Sequence, residues 1–150
     1  LARPLDSLTP PDWQEWLGRV AARGLVVRGA LSGEAAARPW RIEEPEHPEG
    51  PGLADELARA GVPLAAAGGD GPHLALVAVA TRRPLPAEET GRLRAACRER
   101  PTVLVGLQND AFLDDVPEAM LRVSAADATP VTLRAVAGAL AAMRRAALGS

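Results

Sequence analysis

Lysine and tyrosine are absent from this 150-residue chain, cysteine occurs once and phenylalanine once, and isoleucine appears only at Ile42. The lone Cys97 excludes an internal disulfide framework and a zinc site built from cysteines. All 17 basic residues are arginine, set against 19 acidic ones, for a formal net charge of −2. That balance gives no basic footprint for nucleic acid. The missing lysine, with abundant Ala, Gly, Pro and Arg, reads as the drift of a GC-rich genome, so arginine richness is not taken as phosphate binding. No apolar run approaches the ~20 residues that cross a bilayer, so no membrane partner is expected. No charged segment followed by an apolar one marks a signal peptide, which favours a cytoplasmic location. Starting at Leu1 rather than Met, the chain is expected to be a processed form or a piece of a longer protein.

What is present is a globular composition: 47% hydrophobic and 24% charged residues. This length suits a single domain over residues 1–150. The core must come from Leu, Val and Ala, with Trp13, Trp16, Trp40 and Phe112 as the only aromatics. Thr9 before Pro10-Pro11-Asp12 predicts a helix start, with Trp13, Trp16, Leu17 and Val20 on one face and Gly24 as its stop. Leu25 to Val27 reads as a short strand. Residues 30–38 are irregular, and Pro39 to Glu43 alternate like an edge strand. A turn-rich acidic loop follows, from Glu44 to Gly52. Leu53 to Ala60 reads as a short helix, and Val62 to Ala67 as a weak strand.

The second half is more regular. His73 to Ala80 and Thr102 to Leu107 are nearly continuous apolar runs, as in strands covered on both faces. Between them Ala87 to Arg100 forms a helix with Leu93, Ala96 and Cys97 inward. Met120 to Ala125 suggests another strand. Thr129-Pro130 opens a last helix to about Ala147. Buried strands alternating with amphipathic helices imply parallel pairing through right-handed crossovers. The predicted fold is α/β: a three-layer α/β/α sandwich with a mostly parallel sheet, flavodoxin-like in general shape.

Several residues carry chemistry in principle. Gly68-Gly69-Asp70-Gly71 lacks the following helix that a phosphate cradle needs, so a turn is expected. Glu43, Glu44, Glu46, His47 and Glu49 match no metal-ligand spacing and read as a solvated acidic loop. His73 and Cys97 sit within predicted buried elements and read as structural. The residues after Leu107 lie on the rim where open α/β sheets bind ligands. Asn109 and Asp110 there, with Arg82 and Arg83 at the end of the neighbouring strand, are the candidate ligand-binding residues. Asp110 and Asp114 are alternatively expected to cap the turn and the short helix after it. No catalytic residue, metal or cofactor is indicated.

Thr102 to Pro117 runs from a hydrophobic strand through Asn109 to Leu113 and Pro117. Thr129-Pro130 and Leu133 then open a helix. This stretch resembles the end of the C-terminal domain of family 3 glycoside hydrolases of the β-N-acetylhexosaminidase type. Upstream, Trp16 to Val27 resembles the helix and strand that open that domain. The family's usual Pro-aromatic step is replaced by Asp110-Ala111-Phe112, and its Tyr before the Thr-Pro is absent. The resemblance implies that the nucleophilic Asp and the acid/base group lie on a separate N-terminal barrel. A barrel of ~250 residues cannot fit in this chain. By this reading the chain is a non-catalytic domain whose partner is that barrel or a second subunit, with carbohydrate as a ligand. A free-standing ligand-binding or dimerisation module is the alternative, and an exposed apolar face, with Trp13 and Trp16 as first candidates, would mark the docking side.

Overall fold

A computed structural model describes residues 10–48 and 50–149; Thr9, Glu49 and the side chains of Trp13, Trp16 and Leu17 lie outside the described residues. The elements in chain order are α1 (Pro10–Arg23), β1 (Val26–Gly29), α2 (Gly33–Ala37), β2 (Trp40–Glu43), α3 (Leu53–Arg59), β3 (Leu74–Thr81), α4 (Ala87–Glu99), β4 (Thr102–Gln108), a 3₁₀ helix (Ala111–Asp115), β5 (Leu121–Ala125) and α5 (Pro130–Leu148).

The strands form one sheet in the order β1-β5-β4-β3-β2. β2, β3, β4 and β5 pair in parallel, and β1 adds antiparallel to β5, with Val26 opposite Ser124 and Gly29 opposite Leu121. The centre falls where the sequence is apolar without a break. A β-strand turns successive side chains to opposite faces, so β3 and β4 each feed two cores. Leu74, Leu76, Val103, Val105 and Leu107 enter the larger one with Leu133, Val136 and Leu140 of α5 and Leu53 and Leu57 of α3. Val77 and Leu104 enter the smaller one with Leu93 and Cys97 of α4 and Phe112, Leu113 and Val116. Helices therefore cover both faces, in the predicted three layers. Leu76, Leu104 and Leu140 are fully buried, and cutting any of them to Ala costs roughly 2–5 kcal/mol.

Two segments differ from the sequence reading. Residues 30–38 include α2, whose start is capped by Ser32 Oγ accepting the Ala35 N–H at 3.2 Å. Ala35 and Ala36 are buried there, and Arg144 of α5 donates Nε–H to the Ala36 carbonyl at 3.1 Å. Small side chains that look featureless in sequence are what lets this turn sit against α5. The expected strand over Val62 to Ala67 shrinks to one parallel bridge, Leu64 to Trp40. Trp40 donates its N–H to the Pro63 carbonyl and accepts the Ala65 N–H.

That bridge sets the topology. Trp40 pairs with Leu74 on its inner side, so Leu64 lies on its outer side. After β2 the chain steps outward through α3; after β3 it steps inward through α4, on the opposite face. The two crossovers are of the same hand, as the twist of strands demands. The direction of winding reverses between β2 and β3, and a crevice opens beside their carboxyl ends.

Candidate functional site

The carboxyl edge of the sheet is built from the segments after β2, β3, β4 and β5. Glu44 is the anchor of the first. It accepts the Leu53 N–H at Oε1, 2.6 Å, and the Ala54 N–H at Oε2, 2.7 Å. These are two donors that the start of α3 leaves free. Gly52, at the N-cap, has no side chain for the purpose, so a carboxylate from the preceding loop takes its place. Asp55 Oδ2 accepts the Gly52 N–H at 3.2 Å. His47 is drawn in behind Glu44: its side chain is 11% exposed, and Nε2 comes within 3.0 Å of Glu44 Oε1. The pair is out of line for a hydrogen bond, and the buried Nε2 has no hydrogen-bond partner.

At the end of β4, Gln108 adopts φ = 79°, the one left-handed non-glycine residue among those described. A side chain is uncommon in that region and costs of order 1–3 kcal/mol. The twist turns the chain so that Asn109 donates its N–H to the Thr81 carbonyl at 2.9 Å. Asn109 Oδ1 accepts the Ala111 N–H at 3.0 Å and so starts the 3₁₀ helix. Asp110 was expected to cap here; it instead accepts the Ser124 hydroxyl of β5. The loop folds back tightly over β4: a Cβ on Gly106 would meet Asp110 Cα and Cβ at 3.3 Å. Glycine in that buried strand marks a close backbone approach.

The carboxylates nearby are also committed. Asp114 pairs with Arg28 of β1 at 2.6 Å. Glu118 accepts Arg94 Nε–H at 2.8 Å, and the hydrogen bond from Arg94 holds its carboxyl below the usual range. Arg82 and Arg83 sit exposed after β3. The Arg83 backbone is fixed by Thr81, whose hydroxyl donates to the Arg83 carbonyl at 2.8 Å and accepts its N–H at 3.2 Å. No ion pair of either guanidinium occurs among the described residues.

A cleft of about 240 Å³ opens on this edge. Its walls are Pro45 to Pro48 with Gly50 and Pro51, the ends of β3 and β4 at Ala80 and Gln108, and the start of α5 at Pro130 and Leu133. The sequence-predicted residues Asn109, Asp110, Arg82 and Arg83 share the rim but do not line it. His47 and Gln108 do. The acidic loop contributes a helix cap and a half-buried imidazole rather than a wholly solvated run. The sequence carried one signal for this: α3 begins at a glycine with no capping side chain. His73 lies at the other end of the sheet, where Nε2 accepts from Arg100 Nη1 at 2.7 Å. Burial pushes the Cys97 thiol up. Among the described residues, no group of three or more His, Cys, Asp or Glu side chains converges as a metal site, and no helix is long and apolar enough to cross a membrane.

No family model and no curated protein sequence matches the chain. Its fold does match solved structures. A glycoside hydrolase family 3 β-N-acetylglucosaminidase from Paenibacillus sp. str. FPU-7 superposes with a TM-score of 0.70, over 95% of this chain and 33% of that one, at 14% identity. A β-glucoside phosphorylase, BglX, gives 0.56 over 87% and 29%, at 15% identity. Zn-bound CbsA from Thermotoga neapolitana gives 0.55 over 89% and 29%, at 15% identity. The class is thus a doubly wound α/β/α sandwich. More narrowly, it has the fold of a domain within a family 3 glycoside hydrolase structure. The chain spans about a third of the length of the structures it matches.

Proposed function

We propose that this chain is the accessory α/β sandwich domain of a family 3 glycoside hydrolase of the β-N-acetylhexosaminidase type. It packs against a barrel domain, or a partner subunit, that carries the reactive groups, and supports carbohydrate hydrolysis without performing it. The observation that carries this reading is the unequal coverage: nearly all of this chain matches a third of a β-N-acetylglucosaminidase. The committed carboxylates support it. A retaining glycosidase needs two carboxyl groups facing each other across the scissile bond, about 5–5.5 Å apart. Here Glu44, Asp110, Asp114 and Glu118 are each held by a partner in their own scaffold. In this reading Asn109 and Asp110 shape the rim, and Arg82 and Arg83 are the rim side chains offered to a ligand.

The test is an assay of this chain alone with an aryl N-acetylglucosaminide. The expected result is release no faster than in buffer; clear turnover overturns the proposal. A second reading, a self-associating module, is favoured by Val20, Val26 and Val27, all exposed on α1 and β1. Light scattering at two concentrations separates it, because only a self-associating module gains mass on concentration.

A further inference from the structure

The cleft on the carboxyl edge has a composition of its own, independent of the glycosidase reading. Pro45, Pro51, Ala80 and Leu133 make its walls apolar, and three polar side chains interrupt them: Glu46, His47 and Gln108. Concave sites that take small molecules have this make-up, apolar walls with a few placed polar groups. Two of the three polar groups are uncommitted. The Glu46 carboxylate is exposed and enters no hydrogen bond or ion pair among the described residues, whereas Glu44, Asp110, Asp114 and Glu118 are all held. The Gln108 carboxamide is equally free among the described residues. Its residue keeps a left-handed backbone, and strain of this kind collects at ligand sites.

Charge selects the occupant, and the selection holds for either state of His47. Glu46 stands on the wall, and Glu44 lies behind His47, its Oε1 3.0 Å from Nε2. A neutral His47 leaves both negative charges in place. A protonated His47 cancels Glu44 and still leaves Glu46. The residues that β3, β4 and α5 bring to the cleft carry no charge. Of the charged residues beside them in the chain, Arg134 is paired with Glu56 and Asp127 is held by Thr129. Arg82 and Arg83 are exposed outside the walls, where water and salt screen them. A free carboxylate beside apolar walls complements a positive charge on an apolar body. A bare divalent ion is a poor fit, because it needs several oxygen ligands and no third acidic or histidine side chain converges here among the described residues. A primary ammonium suits better: its three donors can be shared between Glu46 and the Gln108 carboxamide oxygen.

We propose that this cleft binds a small organic cation, a primary ammonium on an apolar body, with Glu46 as its counter-charge and Gln108 as a second acceptor. The chain has only two histidines, and they sit at opposite ends of the sheet, so imidazole NMR signals report the site and an internal control together. The full chain is titrated, at one pH and one ionic strength, with three probes of one shape: benzylammonium, benzyl alcohol and benzoate. The expected result is a saturable shift of the His47 signal with benzylammonium and a still His73. Benzyl alcohol should bind roughly threefold or more weaker, and benzoate roughly tenfold or more, as attraction to one carboxylate is removed and then reversed. Glu46→Gln should bring benzylammonium down to the affinity of the alcohol without moving Tm, because the Glu46 carboxylate holds nothing else in place. Gln108→Gly removes the second acceptor and suits the left-handed backbone; it should weaken benzylammonium while keeping the order of the three probes. Absence of a saturable His47 shift with benzylammonium, equal or tighter binding of the alcohol or of benzoate, or undiminished binding by either variant overturns the proposal. Turnover in the glycosidase assay bears only on the proposed function, and the titration only on the cleft.

Discussion

Gly52 opens α3 with no side chain to offer, and Glu44 supplies the missing acceptor from across the loop. The two residues are coupled in space as well: a Cβ on Gly52 would lie 2.5 Å from Glu44 Oε1 and 3.0 Å from its Cδ. The end of a glutamate could swing away if it were free, but two backbone donors pin this one. Gly52→Ala is therefore expected to destabilise by about 1–2 kcal/mol, the range for a lost helix cap. Glu44→Ala should cost a similar amount, and the double variant clearly less than the sum, because both changes remove the same contact. Urea unfolding of the three variants checks this; additive costs would show that Glu44 and Gly52 act separately.

At the scale of an element, the start of α5 shows how a helix end acquires a pH dependence. Thr129 is the N-cap, its Oγ1 accepting the Thr132 N–H at 3.4 Å, with Pro130 opening the helix. Asp127 Oδ1 accepts both the Thr129 N–H at 2.9 Å and its hydroxyl at 2.8 Å. Burial pushes the Asp127 carboxyl up, but the hydrogen bonds from Thr132 and Thr129 outweigh it and leave the group below its ordinary value. The folded state then takes up this proton less readily than the unfolded chain. The resulting stability is complete above the ordinary aspartate value, near ~4, and is lost as pH falls through the lower folded value. In urea melts from pH 6 downward, Asp127→Asn should flatten the acid loss relative to the native chain. Identical acid slopes would mean that this cap does not sense pH. The sequence announced the cap itself through Thr129-Pro130; it did not announce Asp127, whose role depends on a turn bringing its carboxylate back to the Thr129 hydroxyl.

Over the whole molecule, stability should grade across the sheet. β4 is buried along six of its seven residues and β3 is covered on both faces, whereas all four residues of β1 are exposed. Local opening follows such differences in burial. Hydrogen exchange is expected to be slowest at Val103 to Leu107 and Leu76 to Ala78, and fastest among the strands at Val26 to Arg28. Protection of β1 equal to that of β4 in the isolated chain would point to a covered edge, as in a self-associating module.

Much of this architecture is written locally. Continuous apolar runs at His73 to Ala80 and Thr102 to Leu107, short and rich in Val, point to central strands, because a strand covered on both faces has no polar side to keep. The spacing of Leu133, Val136, Ala137 and Leu140 made α5 a helix with one inward face. The residues offered as ligand contacts lie on the carboxyl rim of the sheet but do not line its cleft. Periodicity assigns a side chain to a face, while the wall of a cleft depends on which loops meet above the sheet. The pairing of Glu44 with α3 and the single bridge between Leu64 and Trp40 join residues well apart in the chain, and no local pattern names the partner. Local patterning is set by energies that repeat every two or 3.6 residues. The site is set by crossovers that carry distant segments to one edge, and only the folded chain brings those segments together.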